Sequence, residues 1–164
     1  MNTSPVVILT SLTALASAAG GGMMYVFSTM VMRGLDRTGP VDAITAMRGI
    51  NAEANASPAF LLGYFSATIL ALVVGVIAVV RLNQPGSWWL LIGAIFAILG
   101  AIITMAFNVP LNNHLDSVDP AALSAADAAR EWQAYFSTWT AWNHARTLTA
   151  FIGAAVLLVG LRHR

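Results

Sequence analysis

The side chains with chemical potential sit where two apolar helices end. One segment reads Asn108-Val109-Pro110-Leu111-Asn112-Asn113-His114, and the other reads Trp139-Thr140-Ala141-Trp142-Asn143-His144-Ala145-Arg146-Thr147. Arg146 is the least expected of these, because Leu148, Ala150, Phe151 and Ile152 follow it into an apolar run. A charge at membrane depth is costly, so it normally turns into the bundle, paired or lining a cavity. Asn143 and Arg146 are three apart and share a helical face that Thr147 and Ala150 continue. His144 is rotated about 100° from Asn143, so only one of the two can point squarely with Arg146. Asn108 and Asn112 share a face if Pro110 bends the helix without ending it. Pro110 would also free carbonyls near position 106, for which Arg146 is a natural donor. Trp139 and Trp142 can line an aromatic pocket. The structural alternative has Arg146 snorkelling to headgroups, the asparagines joining helices and the tryptophans forming an interfacial belt. So many costly polar groups converging on one face favours a site.

The elements that must hold these residues are membrane spans. Of the 164 residues, 58% are apolar and only 9% charged, with no cysteine and no lysine. Soluble domains carry about a quarter charged residues, so most of this surface must face lipid. A net charge of +1 argues for no nucleic-acid partner, and the lack of cysteine removes disulfides and thiolate chemistry. A spanning helix needs about 20 apolar residues, which places spans at about 6–32, 58–80, 88–109 and 145–161. The chain is expected to form a single domain over 1–164: an all-α four-helix transmembrane bundle. A short interfacial helix is expected after span 1, where Ala43, Ile44, Met47 and Ile50 recur at helical spacing, and a helical extension from Ser124 into span 4. Ala16-Ser17-Ala18 resembles a cleavage site, but the first run lacks a positive start and continues unbroken to Met32, so it is expected to remain as a span. Gly93, Ala97 and Ala101, like Ala14, Ala18 and Gly22, form small-residue stripes that let helices approach closely, including between copies of the chain.

An even number of spans puts both termini and Arg81 on one side, and all seven acidic residues on the other. The compact, purely basic side is the expected cytoplasmic one, with the plasma membrane as the expected location. The polar cluster would then lie at the opposite face.

The two polar segments resemble the anthrone oxygenase-like family of small four-span membrane proteins. The resemblance rests on Asn-x-Pro-x-Asn at Asn108, Pro110 and Asn112, and on Trp-x-x-Trp-Asn-x-x-Arg at Trp139, Trp142, Asn143 and Arg146. It implies an oxidoreductase, oxygenase-like, acting on an anthrone, a quinol or a similar lipophilic aromatic. Proton abstraction from such a substrate leaves an anion able to react with O2 directly, so no cofactor is required. His144 or His114 would be the base, Arg146 the anion clamp, and Asn108, Asn112, Asn143, Trp139 and Trp142 the substrate contacts. Two other classes remain: a metal or haem protein using His114 and His144, perhaps with Met105, and a non-enzymatic bundle that binds a lipid or a protein partner. No P-loop, dinucleotide fingerprint or nucleic-acid motif is present.

Overall fold

A computed structural model describes residues 4–164. Among them are five helices and no strand: α1 (Pro5–Asp36), α2 (Pro40–Ala56), α3 (Pro58–Val80), α4 (Ser87–Ser117) and α5 (Ala125–Arg162). All but α2 are long and apolar enough to cross a membrane.

Local chemistry sets the helix starts. Ser4 and Ser57 each precede a proline at the first helical position, and each accepts a backbone N–H, from Val7 and from Phe60. A proline there loses no intrahelical bond. Ser124 caps α5 by accepting the Asp127 N–H, and Asp127 complements the helix dipole. The turn between α3 and α4 needs Gly86, which sits at φ +78°; a Cβ there would lie 2.7 Å from the Gly160 carbonyl oxygen.

The four long helices form a square. α1 neighbours α3 and α5, and α4 neighbours α3 and α5, leaving α1 diagonal to α4 and α3 diagonal to α5. The tightest contact is between α4 and α5. A Cβ on Gly153 would meet the Ala97 nitrogen at 3.0 Å and the Gly93 oxygen at 3.1 Å, so the two backbones touch there. Val6, Ala14, Val74, Ala78, Leu90 and Leu157 fill the bundle interior toward the basic end. Leu15, Leu62, Val76, Val80 and Trp88 are each more than 60% exposed. Those apolar surfaces suit lipid and not water.

The helices outlast the bilayer at one end only. At about 1.5 Å per residue, 38-residue α5 is about 57 Å long, against about 30 Å of hydrocarbon. Its first half, the ends of α1 and α4, and the whole of α2 build a helical head. Met32, Ala43, Ile44, Met47, Leu115, Ala128, Trp132, Tyr135 and Trp139 form the core of this head. The amphipathic pattern of residues 40–56 thus buries its apolar face against α5 and α4 as well as lying at the bundle end.

Two π-helical turns interrupt the long helices where bundle meets head, at Phe27–Val31 in α1 and Thr104–Asn108 in α4. In them the Met32 N–H reaches the Phe27 carbonyl and the Val109 N–H reaches that of Thr104. In α4 the turn lies just before Pro110, whose missing N–H breaks the ordinary ladder. The helix therefore runs on to Ser117.

Candidate functional site

Arg146 lies on the inner face of α5, one turn after Asn143, and is only 7% exposed. Its Nε donates to Asn143 Oδ1 at 2.7 Å. Nη1 donates to Thr104 Oγ1 at 3.1 Å and lies 3.5 Å from Tyr64 Oη. Its guanidinium carbon stands 5.1 Å from the Trp139 ring centroid and 5.9 Å from that of Tyr64. None of these partners is a carboxylate. The two contacts between basic and acidic side chains among the described residues, His114–Glu131 and Arg130–Asp127, do not involve Arg146. Its Nη2 makes no protein hydrogen bond among the described residues.

The frame around this cation is itself fixed. Asn143 is fully buried and donates through Nδ2 to the Met24 carbonyl at 2.6 Å and to Ser28 Oγ at 2.5 Å. It therefore ties α5 to the π turn of α1 while holding Arg146. Thr104, in the π turn of α4, lies 2.6 Å from Tyr64 Oη and donates to the Gly100 carbonyl at 2.9 Å. The freed carbonyls expected near position 106 receive nothing from Arg146, whose donors go to side chains instead. The two irregular turns thus set Ser28 and Thr104 inward at one level, as π turns often do beside functional sites.

A cavity of about 260 Å³ opens above this floor, between the bundle and the head. Arg146, Tyr64 and Thr104 lie at one end of its lining, and Asn51 and Asn112 also contribute. Met24, Phe27, Met47, Phe60, Phe65 and Trp139 make most of the remaining wall apolar or aromatic. Asn112 Oδ1 accepts from Tyr135 Oη at 2.9 Å and from Trp139 Nε1 at 2.8 Å, which leaves its amide group for a ligand. Asn51, on the roof helix α2, donates to Asp116 at 3.2 Å. Leu61 and Met105 line the cavity and are also exposed on the apolar outer surface, so the cavity has a lipid-facing side.

Of the residues singled out from sequence, Arg146, Asn112 and Trp139 line this cavity, and Asn143 sits directly behind Arg146. The others lie elsewhere. Asn108 is buried and donates to the Trp139 carbonyl at 3.2 Å, joining α4 to α5. Trp142 stacks on Phe107 with centroids 3.5 Å apart. His144 is exposed, and His114 is exposed and bonded to Glu131 at 2.6 Å. Neither histidine lines the cavity, because the helical rotation that turns Asn143 inward turns His144 out. Among the described residues no three His, Asp or Glu side chains gather as a metal ligand set. Met105 faces the cavity apart from both histidines.

Sequence reasoning passed over Tyr64, Thr104 and Ser28. The available signal was slight: Tyr64 is a lone tyrosine two turns into a largely apolar span, and threonines and serines are ordinary in such helices.

A protein-family model described as anthrone oxygenase matches residues 54–156. The match runs from the end of α2 through most of α5 and includes Tyr64, Thr104, Asn112, Trp139, Asn143 and Arg146. No curated protein and no solved structure matches the chain.

Proposed function

The chain belongs to the anthrone oxygenase family, and from that premise we propose that it is a membrane-embedded oxygenase acting on an anthrone, a quinol or a similar lipophilic aromatic. One observation carries the reading: a buried guanidinium with no carboxylate partner, its Nη2 unengaged, at the end of an aromatic-walled cavity. A buried cation with no carboxylate beside it, in a low-dielectric site, is arranged to hold negative charge on a ligand.

An anthrone supplies that charge on deprotonation. Loss of a proton from its central CH2 gives an aromatic phenolate-like anion, and its oxygen would sit against Arg146. The carbanionic carbon gives electrons to O2 and forms a carbon–oxygen bond. Loss of water from the resulting hydroperoxide leaves the quinone carbonyl, so that CH2 and O2 become C=O and H2O. The amide of Asn112, oriented by Trp139 and Tyr135, is placed to hold a second polar group of a flat substrate. Ligand pockets usually measure about 300–1,000 Å³, so this one suits a compact ring system. The lipid-facing side at Leu61 and Met105 suits a substrate that partitions into the bilayer. With both termini cytoplasmic in the plasma membrane, the cavity would lie toward the opposite face.

The test is oxygen uptake by purified protein in lipid nanodiscs supplied with an anthrone. Wild-type protein should consume one O2 per anthraquinone formed. Arg146→Met should lower the rate about 10²–10³-fold, the loss typical of an oxyanion donor. Folded wild-type protein that consumes no oxygen with anthrones or quinols would instead indicate a bundle that binds a lipid or a protein partner.

A further inference from the structure

We propose that Tyr64 is the proton acceptor of this site, working as an oxyanion paired with Arg146; the assignment rests on the oxygenase reading above. Three observations meet at this residue. Apart from Arg146 itself, Tyr64 is the one side chain lining the 260 Å³ cavity that can gain or lose a proton. The rest of the lining is apolar, amide or the Thr104 hydroxyl, and both histidines lie outside.

The second observation is the Thr104 hydroxyl, which has two acceptors within reach. It lies 2.9 Å from the Gly100 carbonyl and 2.6 Å from Tyr64 Oη. With its proton toward Gly100, it accepts from a neutral Tyr64. Turned toward Tyr64, it donates to the oxyanion, alongside Arg146 Nη1. Both protonation states of Tyr64 are therefore hydrogen-bonded without moving a backbone atom.

The third is a smaller chamber on the bundle side of the same floor. It measures about 30 Å³, above the roughly 10–15 Å³ that one water needs. Met24, Tyr64 and Arg146 line both spaces. Ser17 also lines the chamber; it is 2% exposed, and its hydroxyl has no partner among the described residues. The lining is mainly small and apolar, with Ser17, Thr68, Tyr64 and Arg146 as its polar members, which gives one released water a place directly behind Tyr64.

The cycle balances. The Tyr64 oxyanion takes a proton from the substrate CH2, and the electron pair stays on the substrate as an enolate paired with Arg146. One anion replaces another beside the cation, so the buried site carries the same net charge throughout. The carbanion reduces O2 and forms the peroxide anion, which recovers the proton from the Tyr64 hydroxyl. Tyr64 then removes the remaining proton on that carbon, the O–O bond breaks, and the carbonyl forms. The departing hydroxide takes this proton from Tyr64, giving water and restoring the oxyanion.

The first step can be isolated by excluding oxygen. Wild-type protein in anaerobic D2O should catalyse exchange of the anthrone CH2 hydrogens. Tyr64→Phe should lose at least 100-fold in that exchange and in oxygen uptake, within the usual range for a general base of about 10²–10⁴, while binding anthraquinone as before. Tyr64→His, which substitutes another proton acceptor, should recover exchange above the Phe variant. Tyr25→Phe, on the exposed outer surface, should match wild type. Exchange retained in Tyr64→Phe would overturn the assignment and leave the oxygenase reading standing. So would loss of anthraquinone binding, or failure of both Tyr64 variants to fold, since either makes the residue structural. Wild-type protein with neither exchange nor oxygen uptake would bring down the oxygenase reading together with it.

Discussion

Arg146 and Asn143 are three residues apart and bonded to each other, yet their substitution should have opposite consequences. Asn143 is a hub: it holds the Nε of Arg146, and it gives its amide protons to the Met24 carbonyl and to Ser28 across the α1–α5 contact. Asn143→Leu would strand these groups in a dry interior, each at a cost of about 1–3 kcal/mol. The bundle should lose stability to match, measured by SDS titration in mixed micelles. Arg146→Met strands the Asn143 side-chain carbonyl, while Tyr64 takes up a proton and keeps its bond to Thr104. That loss is offset by removing a buried cation, whose desolvation costs several kcal/mol. Stability should therefore stay within about 1 kcal/mol of wild type while turnover falls. A large destabilisation by Arg146→Met would make the guanidinium structural glue. At this scale the sequence exposed the Asn143–Arg146 pair, because a spacing of three on a helix fixes a shared face. It pointed to His144 and His114, which lie outside the cavity, because residue type names a chemistry but not the side of the helix that carries it. Tyr64 was hidden for the converse reason: its importance comes from Arg146 and Thr104 on other helices, which only the packing brings near.

The helices place the site through two kinds of local exception. Where α4 meets α5, glycine replaces side chains and the backbones touch at Gly153. Gly153→Val would drive a branched side chain against the Ala97 nitrogen and the Gly93 carbonyl, and overpacking of this kind costs about 1–3 kcal/mol. Since α5 carries Arg146 two turns away and Thr104 lies on α4, the same change should weaken substrate binding. Gly63→Ala in α3, where an added Cβ meets nothing within 4 Å, should be neutral or stabilising by up to about 1 kcal/mol. Thermal unfolding of the two variants, followed by circular dichroism, tests the contrast; equal behaviour would mean the α4–α5 contact gives way easily. The small-residue stripe at Gly93 and Ala97 was legible, since four-residue spacing in a span signals close helix approach. The π turns were not. Pro110 announced a disturbance, but whether a proline kinks, ends or widens a helix depends on what surrounds it. Here the widened turn carries Thr104 inward and lets α4 continue past the bilayer into the head.

At the scale of the whole molecule, the four-span bundle followed from composition, because a chain with so few charges has no surface to offer water. The head did not follow as directly, since residues 40–56 read as a helix lying at the interface until their apolar face is seen buried against the extensions of α4 and α5. The asymmetry of the molecule makes its orientation testable. The basic end carries Arg81, Arg162 and Arg164 without an acid, and the head carries all seven acidic residues. Basic residues in short loops near span ends favour the cytoplasm, so the head and the cavity beneath it should face away from it. Because the chain has no native cysteine, a single introduced thiol reports its own side. Asp119→Cys, in the connection between α4 and α5, should react with a membrane-impermeant maleimide on intact cells. Gln84→Cys, in the turn between α3 and α4, should react only after lysis. The reverse pattern would put the head in the cytoplasm and the cavity in the inner leaflet. Labelling of both positions on intact cells would contradict the number of spans itself, because adjacent connections in a bundle of this topology cannot share a side.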